Sequence, residues 1–363
     1  MDTGMGVLSW LKSVATALLP GANDDVVNEA DEAEDSGLPA VYLLATGGTI
    51  AGVGSGAEPV VYRAGAVGVE TLVEAIPGIN QLARVSVEQF ANIGSQDMDD
   101  ARWLKLSRRV NEVLARDDVD ALVVTHGTDT LEETAYFLDL TVASAKPVIL
   151  VGAMRPSNEL SADGPANLLD AVAVAVNPET RTRGGIMAVM HGDVFEARDL
   201  VKISTVSPQA FAAPNYGPLG HVYNGQVIFR PQSGHELELF DVATLEALPA
   251  VGIVYAHANA SAVPVKALVE AEYQGIVLAG VGNGNVHHQL LEALAEAARA
   301  GVVVVRASRV LSGPVVRNVE VDDERYGFIA AGTLNPQKAR VLLQLALTRT
   351  REPGEIQALF ERL

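Results

Sequence analysis

The chain has 363 residues, 48% of them hydrophobic, and a formal net charge of -19. That is enough apolar material for two ordinary domains, and the surplus of acid repels nucleic acid and anionic membrane surfaces at long range. Cysteine is absent, which excludes disulfides, thiolate metal sites, iron–sulfur clusters and a cysteine nucleophile while leaving the compartment open.

Residues 1–37 read as a leader. Two apolar runs, 7–11 and 14–19, with the small-residue triplet Ala15-Thr16-Ala17, suggest a targeting segment. Asp2 stands where a positive charge belongs and Lys12 interrupts the apolar run, so a short amphipathic helix is the competing reading. From Asp24 to Asp35 acids occur without a single base, followed by Ser36-Gly37, the pattern of a solvated tether. No stretch approaches the roughly 18 consecutive apolar residues that a membrane span needs.

From Leu38 onward, β-branched apolar runs alternate with helical patterns, which predicts an α/β fold with a mostly parallel sheet covered on both faces. Strands are expected at 41–45, 121–125, 147–152, 186–190, 251–255, 276–279 and 302–305. Leu131, Ala135, Leu138 and Val142 share a helical face, with Glu132 and Glu133 in the first turn where carboxylates suit the helix dipole. A second helix carries Leu290, Leu291, Leu294, Ala297 and Ala298 and stops at Gly301. The aperiodic stretch from Pro231 predicts a boundary, giving a larger N-terminal α/β domain (38–230), a linker (231–249) and a smaller C-terminal α/β domain (250–363).

In open α/β sheets ligands bind beyond the carboxyl ends of the strands. Two loops there combine threonine and glycine: ATGGTIAG, containing Thr46 to Thr49, and THGTDT, from Thr125 to Thr130. Glycine permits close backbone approach, and a threonine hydroxyl is a nucleophile once a partner takes its proton. Each loop read singly is equally a glycine turn with a threonine helix cap. No Walker phosphate loop is present, and Gly280-Val281-Gly282-Asn283-Gly284-Asn285 falls short of a dinucleotide fingerprint because Asn285 replaces the third glycine. His126 lacks the Gly-x-Ser-x-Gly elbow of a serine hydrolase and reads as structural. His257, His287 and His288 have no carboxylate set to complete a metal site, adjacent histidines being expected to point apart. No metal and no cofactor are expected.

These loops, together with NIGSQDM (from Asn92), THGTDTLEETAYFL (from Thr125), VGAMRPS (from Val151), SADGPANL (from Ser161), NYGPLG (from Asn215) and GTLNPQKARVLLQLAL (from Gly332), resemble the bacterial-type L-asparaginases. Their order and spacing are similar to the periplasmic type II branch, and the likeness runs from Leu38 to Leu363. The resemblance implies an asparaginase-like two-domain fold and hydrolysis of L-asparagine, or of L-glutamine as well, through a threonine nucleophile and an acyl-enzyme.

By the same resemblance the nucleophile falls on Thr49, assisted by Tyr62 in a lid segment, and a second catalytic group on Thr128, Asp129 and Lys202. A lysine accepts a proton only when neutral. Thr128 either serves as nucleophile in one half-reaction or activates water. Substrate binding falls on Ser95, Gln96, Thr128, Asp129, Asn285 and Glu320, with Glu320 reaching a neighbouring subunit's site. Backbone N–H groups near Thr128 and Ala153 are the implied oxyanion and leaving-group contacts. A homotetramer in the periplasm or secreted is implied, with the cytoplasm as alternative, and no nucleic-acid or membrane partner. Ala115 and Ser144 occupy the places where type II relatives often carry a disulfide.

Overall fold

Short, β-branched and fully apolar segments become buried parallel strands because both of their faces are covered. In the computed structural model, which describes residues 37–51, 73–74, 76–231 and 239–363, such segments form β1 (Ala40–Gly47), β3 (Ala121–Thr125), β4 (Val148–Val151) and β5 (Ile186–Met190). With β2 (Arg84–Ile93) they make a parallel array in the order β2-β1-β3-β4-β5. An antiparallel extension follows: β6 (Asp193–Glu196), β9 (Gly220–Tyr223) and β10 (Gln226–Phe229), completing eight strands. Between β6 and β9 the chain makes a separate two-stranded ladder, β7 (Val201–Lys202) with β8 (Phe211–Ala212).

The second sheet is four-stranded and wholly parallel: β11 (Val251–Tyr255), β12 (Gly275–Gly280), β13 (Val303–Ser308) and β14 (Ile329–Ala330). Leu38–Leu363 is one compact unit. The two sheets share a core in which Trp103, Tyr136 and Phe137 pack with Leu342, Leu343 and Phe360.

The expected strands are present: 121–125, 186–190 and 251–255 match end to end, and the others differ by one to three residues at an end, 41–45 extending to Ala40–Gly47 and 302–305 becoming Val303–Ser308. The helix after THGTDT runs Leu131–Asp139, and the later one runs His288–Arg299 before Gly301, whose φ is 93°. The leader, Tyr62 with the rest of its lid segment, and residues 232–238 of the linker lie outside the described residues. Near Ala115 and Ser144, side chains link the two segments without sulfur. Asn111 donates to Thr141 O at 3.1 Å and accepts from Ala143 N at 2.9 Å, and Lys146 Nζ donates to Arg116 O at 2.5 Å.

Candidate active site

The strand order reverses at β1, which lies between β2 and β3, so the loops after β1 and β3 diverge at the switch point where open α/β sheets leave a crevice. Their backbones touch there. Gly48 has φ +84°, and a Cβ on it would lie 2.5 Å from Gly127 Cα and N. Thr46 Oγ1 donates to Thr125 O at 2.9 Å, tying the two strand ends. Thr49, next after Gly48, is half-buried and begins the one-turn helix Thr49–Ala51.

The loop after β2 joins them through buried Ser95. Its Oγ accepts from Asp129 N at 3.1 Å and its carbonyl from Thr130 Oγ1 at 2.8 Å. Gln96 is exposed, with Nε2 3.4 Å from Asp97 Oδ2.

Lys202 enters from β7. Its Nζ lies 2.8 Å from Thr128 Oγ1 and 2.6 Å from Asp129 Oδ1. Thr128 is 6% exposed, whereas the Asp129 side chain is 61% exposed, so the cluster has a buried hydroxyl and an open carboxylate. Behind it, Glu132 accepts from Lys202 N at 2.6 Å and from Asn335 Nδ2 at 3.0 Å.

Two polar clusters shape the adjoining loops. Asp163 accepts from the backbone N–H groups of Met154 and Arg155 at 2.9 to 3.1 Å, and Asn167 donates to Gly152 O at 3.0 Å, fixing the loop that holds buried Ala153. Asp199 accepts from Asn215 and Tyr216, which joins the segment leading to Lys202 to NYGPLG.

Asn285 and Glu320 pair with each other. Asn285 Nδ2 donates to Glu320 Oε2 at 3.0 Å. Both their loops are held by Arg306, which is fully buried, paired with Asp323 at 2.5 and 2.7 Å, and bonded to the carbonyls of Asn283, Gly284 and Val316. Val281 and Asn285 exchange backbone hydrogen bonds of 2.9 and 2.8 Å, closing the glycine loop into a hairpin. The loop is thus a hairpin turn, with the next helix starting only at His288, and not the strand-to-helix turn of a dinucleotide fingerprint.

His126 is wholly buried. Its Nδ1 lies 2.7 Å from Gly127 O, and its Nε2 lies 3.0 Å from the Thr134 hydroxyl, which in turn accepts from Trp103 Nε1. Burial pushes its pKa down to about 4. A neutral imidazole with both nitrogens occupied is the structural histidine expected from the sequence. His287 and His288 correct another expectation: their rings do not point apart but sit 4.2 Å centre to centre. The reason is that His287 has extended backbone ahead of the helix, with ψ 140°. Among the described residues no group of three or more potential metal ligands occurs.

Residues 40–234 match the family model described as Asparaginase, N-terminal, and residues 250–360 match the Glutaminase/Asparaginase C-terminal domain. The chain belongs to the asparaginase family. It is 51% identical to a probable periplasmic L-asparaginase of Haemophilus influenzae, over 97% of this chain and 99% of the relative. Identity to L-asparaginase 2 of Escherichia coli is 53%, covering 90% of this chain and 93% of that one. A glutaminase-asparaginase of Pseudomonas fluorescens biotype A is 42% identical, over 96% and 99% of the two chains.

Within this asparaginase-family site, sequence reasoning passed over Glu132, Asn335, Lys338 and Arg306. Glu132 was legible only as a helix-dipole carboxylate, and the other two charges resembled surface cations. Asn335-Pro336 was a readable signal, since asparagine before proline marks a helix start; Asn335 does cap Pro336–Ala346, accepting from Lys338 N at 3.0 Å.

Proposed function

We propose that this protein is an L-asparaginase, hydrolysing L-asparagine to L-aspartate and ammonia. The observation that carries the reading is Lys202 Nζ joined to both Thr128 Oγ1 and Asp129 Oδ1 at the mouth of the β1/β3 crevice. Identity of 51% and 53% to two relatives named L-asparaginase, against 42% to a glutaminase-asparaginase, supports asparagine as the preferred amide.

In this reading Thr49 Oγ attacks the side-chain carboxamide carbon as its proton is taken up within the site, with Tyr62 orienting the hydroxyl. The tetrahedral oxyanion is held by backbone N–H groups near Thr128. The C–N bond breaks as the leaving amine gains a proton, releasing ammonia and an acyl ester on Thr49. Lys202, acting through Thr128, takes a proton from water, whose hydroxide attacks the ester carbonyl; aspartate leaves and Thr49 recovers its proton. Ser95, Gln96 and Asp129 hold the substrate's α-amino and α-carboxylate groups. An amide lacking that zwitterion would leave these groups unpaired and be rejected.

Asn285 and Glu320, paired with each other in their own chain, complete a neighbouring copy's site in the proposed homotetramer. The proposed domains, 38–230 and 250–363, are joined by 231–249. Location in the periplasm is supported by the Haemophilus relative's name.

A second reading, a glutaminase-asparaginase of broad specificity, is favoured by the Pseudomonas relative. One methylene is worth about 1–3 kcal/mol of discrimination, so competition kinetics on the two amides decide between them. A kcat/KM ratio near one identifies the broad enzyme, and a large excess for asparagine the narrow one. Sedimentation tests the assembly: a fully active monomer contradicts the shared site.

A further inference from the structure

Lys202 sits on a strand of two residues whose ladder partner is the equally short β8, outside the eight-stranded sheet. So short a ladder does not fix a side chain to the tolerance that proton transfer requires. The fixation comes from elsewhere. Glu132, 4% exposed, accepts from Lys202 N with one carboxylate oxygen and from Asn335 Nδ2 with the other. Lys338, 1% exposed, donates from Nζ to the carbonyls of Arg198 and Leu200. Asn335 and Lys338 are the cap and first turn of one helix, Pro336–Ala346, which packs against the second sheet.

We infer that Glu132, Asn335 and Lys338 form a clamp by which the N-terminus of that C-terminal helix holds the backbone at Arg198, Leu200 and Lys202, and so positions Lys202 Nζ against Thr128 and Asp129. These are positioning residues; none is proposed to touch substrate. The inference rests on the reading of Lys202 as the proton acceptor. Its consequence is that the C-terminal α/β region takes part in every copy's own chemistry, in addition to any residues it lends a neighbour.

The test exploits hydrogen-bond polarity. Glu132→Gln sets an NH2 group against a donor, either Asn335 Nδ2 or Lys202 N, so one of the two bonds must fail. Adding Asn335→Asp restores complementarity, because the new carboxylate accepts from the glutamine amide while still capping Lys338 N. In the folded tetramer the single variant should lose roughly tenfold to a hundredfold in kcat with KM for asparagine little changed, and the double variant should recover most of it. Asn335→Ser, which keeps a helix cap but drops the bond to Glu132, should show a smaller loss confined to kcat, and serves if Glu132→Gln does not fold.

Unchanged kcat in folded Glu132→Gln, or in folded Asn335→Ser, overturns the clamp, as does a kcat loss that the double variant fails to rescue. Lys202→Met run alongside separates the layers. If it is fully active, the reading of Lys202 is wrong; if it is inactive while Glu132→Gln is unimpaired, only the clamp is wrong.

Discussion

Lys202 Nζ lies 2.8 Å from Thr128 Oγ1, although the two residues are 74 positions apart, one on β7 and the other in the loop after β3. A lysine nitrogen held between a buried threonine hydroxyl and an open carboxylate is arranged to pass a proton rather than to stabilise a surface. Lys202→Met should lower kcat about 10³-fold without unfolding the protein. Lys202→Arg should fail similarly, because guanidinium does not release its proton near neutral pH. Steady-state ammonia release, with circular dichroism as the folding control, checks both.

Gly48 is where the two threonine loops meet, and the contact leaves no room for a side chain. Gly48→Ala combines a left-handed backbone with a 2.5 Å approach to Gly127. We expect a destabilisation of at least about 2 kcal/mol together with reduced activity, measured by urea unfolding and kinetics. An unaltered midpoint would show that the loops do not touch in solution.

Asp139 is buried and accepts from Ile186 N at 2.9 Å; burial, with Glu196 nearby, pushes its pKa up from 3.8 to about 7. Between those values the native state keeps a proton that the unfolded chain has released. Its contribution is therefore complete below about pH 4 and is lost as pH rises through 7. Glu133, raised to about 7 by burial and by Glu132, acts in the same window. Asp139→Asn should melt higher than the parent at pH 8 and show a shallower fall between pH 4 and 7. Parallel melting curves across that range would contradict this.

Much of the fold was legible because its buried parallel strands are unbroken apolar runs; the prediction of 186–190 and 251–255 matched β5 and β11 end to end. The edge strand β2, RVSVEQFANI, was not legible, since its half-exposed polar positions resemble a loop. Nor were β6, β9 and β10, each of four residues. At the site, Thr49, Thr128, Asp129 and Lys202 came from family motifs; periodicity alone left each a cap or a surface charge. Glu132, Lys338 and Arg306 stayed hidden for a shared reason. Their roles depend on partners 10 to 203 positions away, several of them backbone carbonyls, which no local pattern announces: Glu132 meets Lys202 across 70 positions and Asn335 across 203.

Arg306 and Asp323 are both fully buried, and removing one partner leaves the other charge without compensation. Asp323→Asn should cost about 3–5 kcal/mol and loosen the loops carrying Asn285 and Glu320. Chemical unfolding reads the first effect. A raised KM for asparagine at temperatures where the variant is folded reads the second.

The most direct test is ammonia release from L-asparagine by the purified protein beside its Thr49→Ala and Lys202→Met variants, each verified as folded. Turnover by the parent is expected, with asparagine preferred to glutamine in competition, none above background in Thr49→Ala, and a loss of about 10³-fold in Lys202→Met. No turnover of either amide by the parent, or full turnover in either variant, would contradict the proposed function.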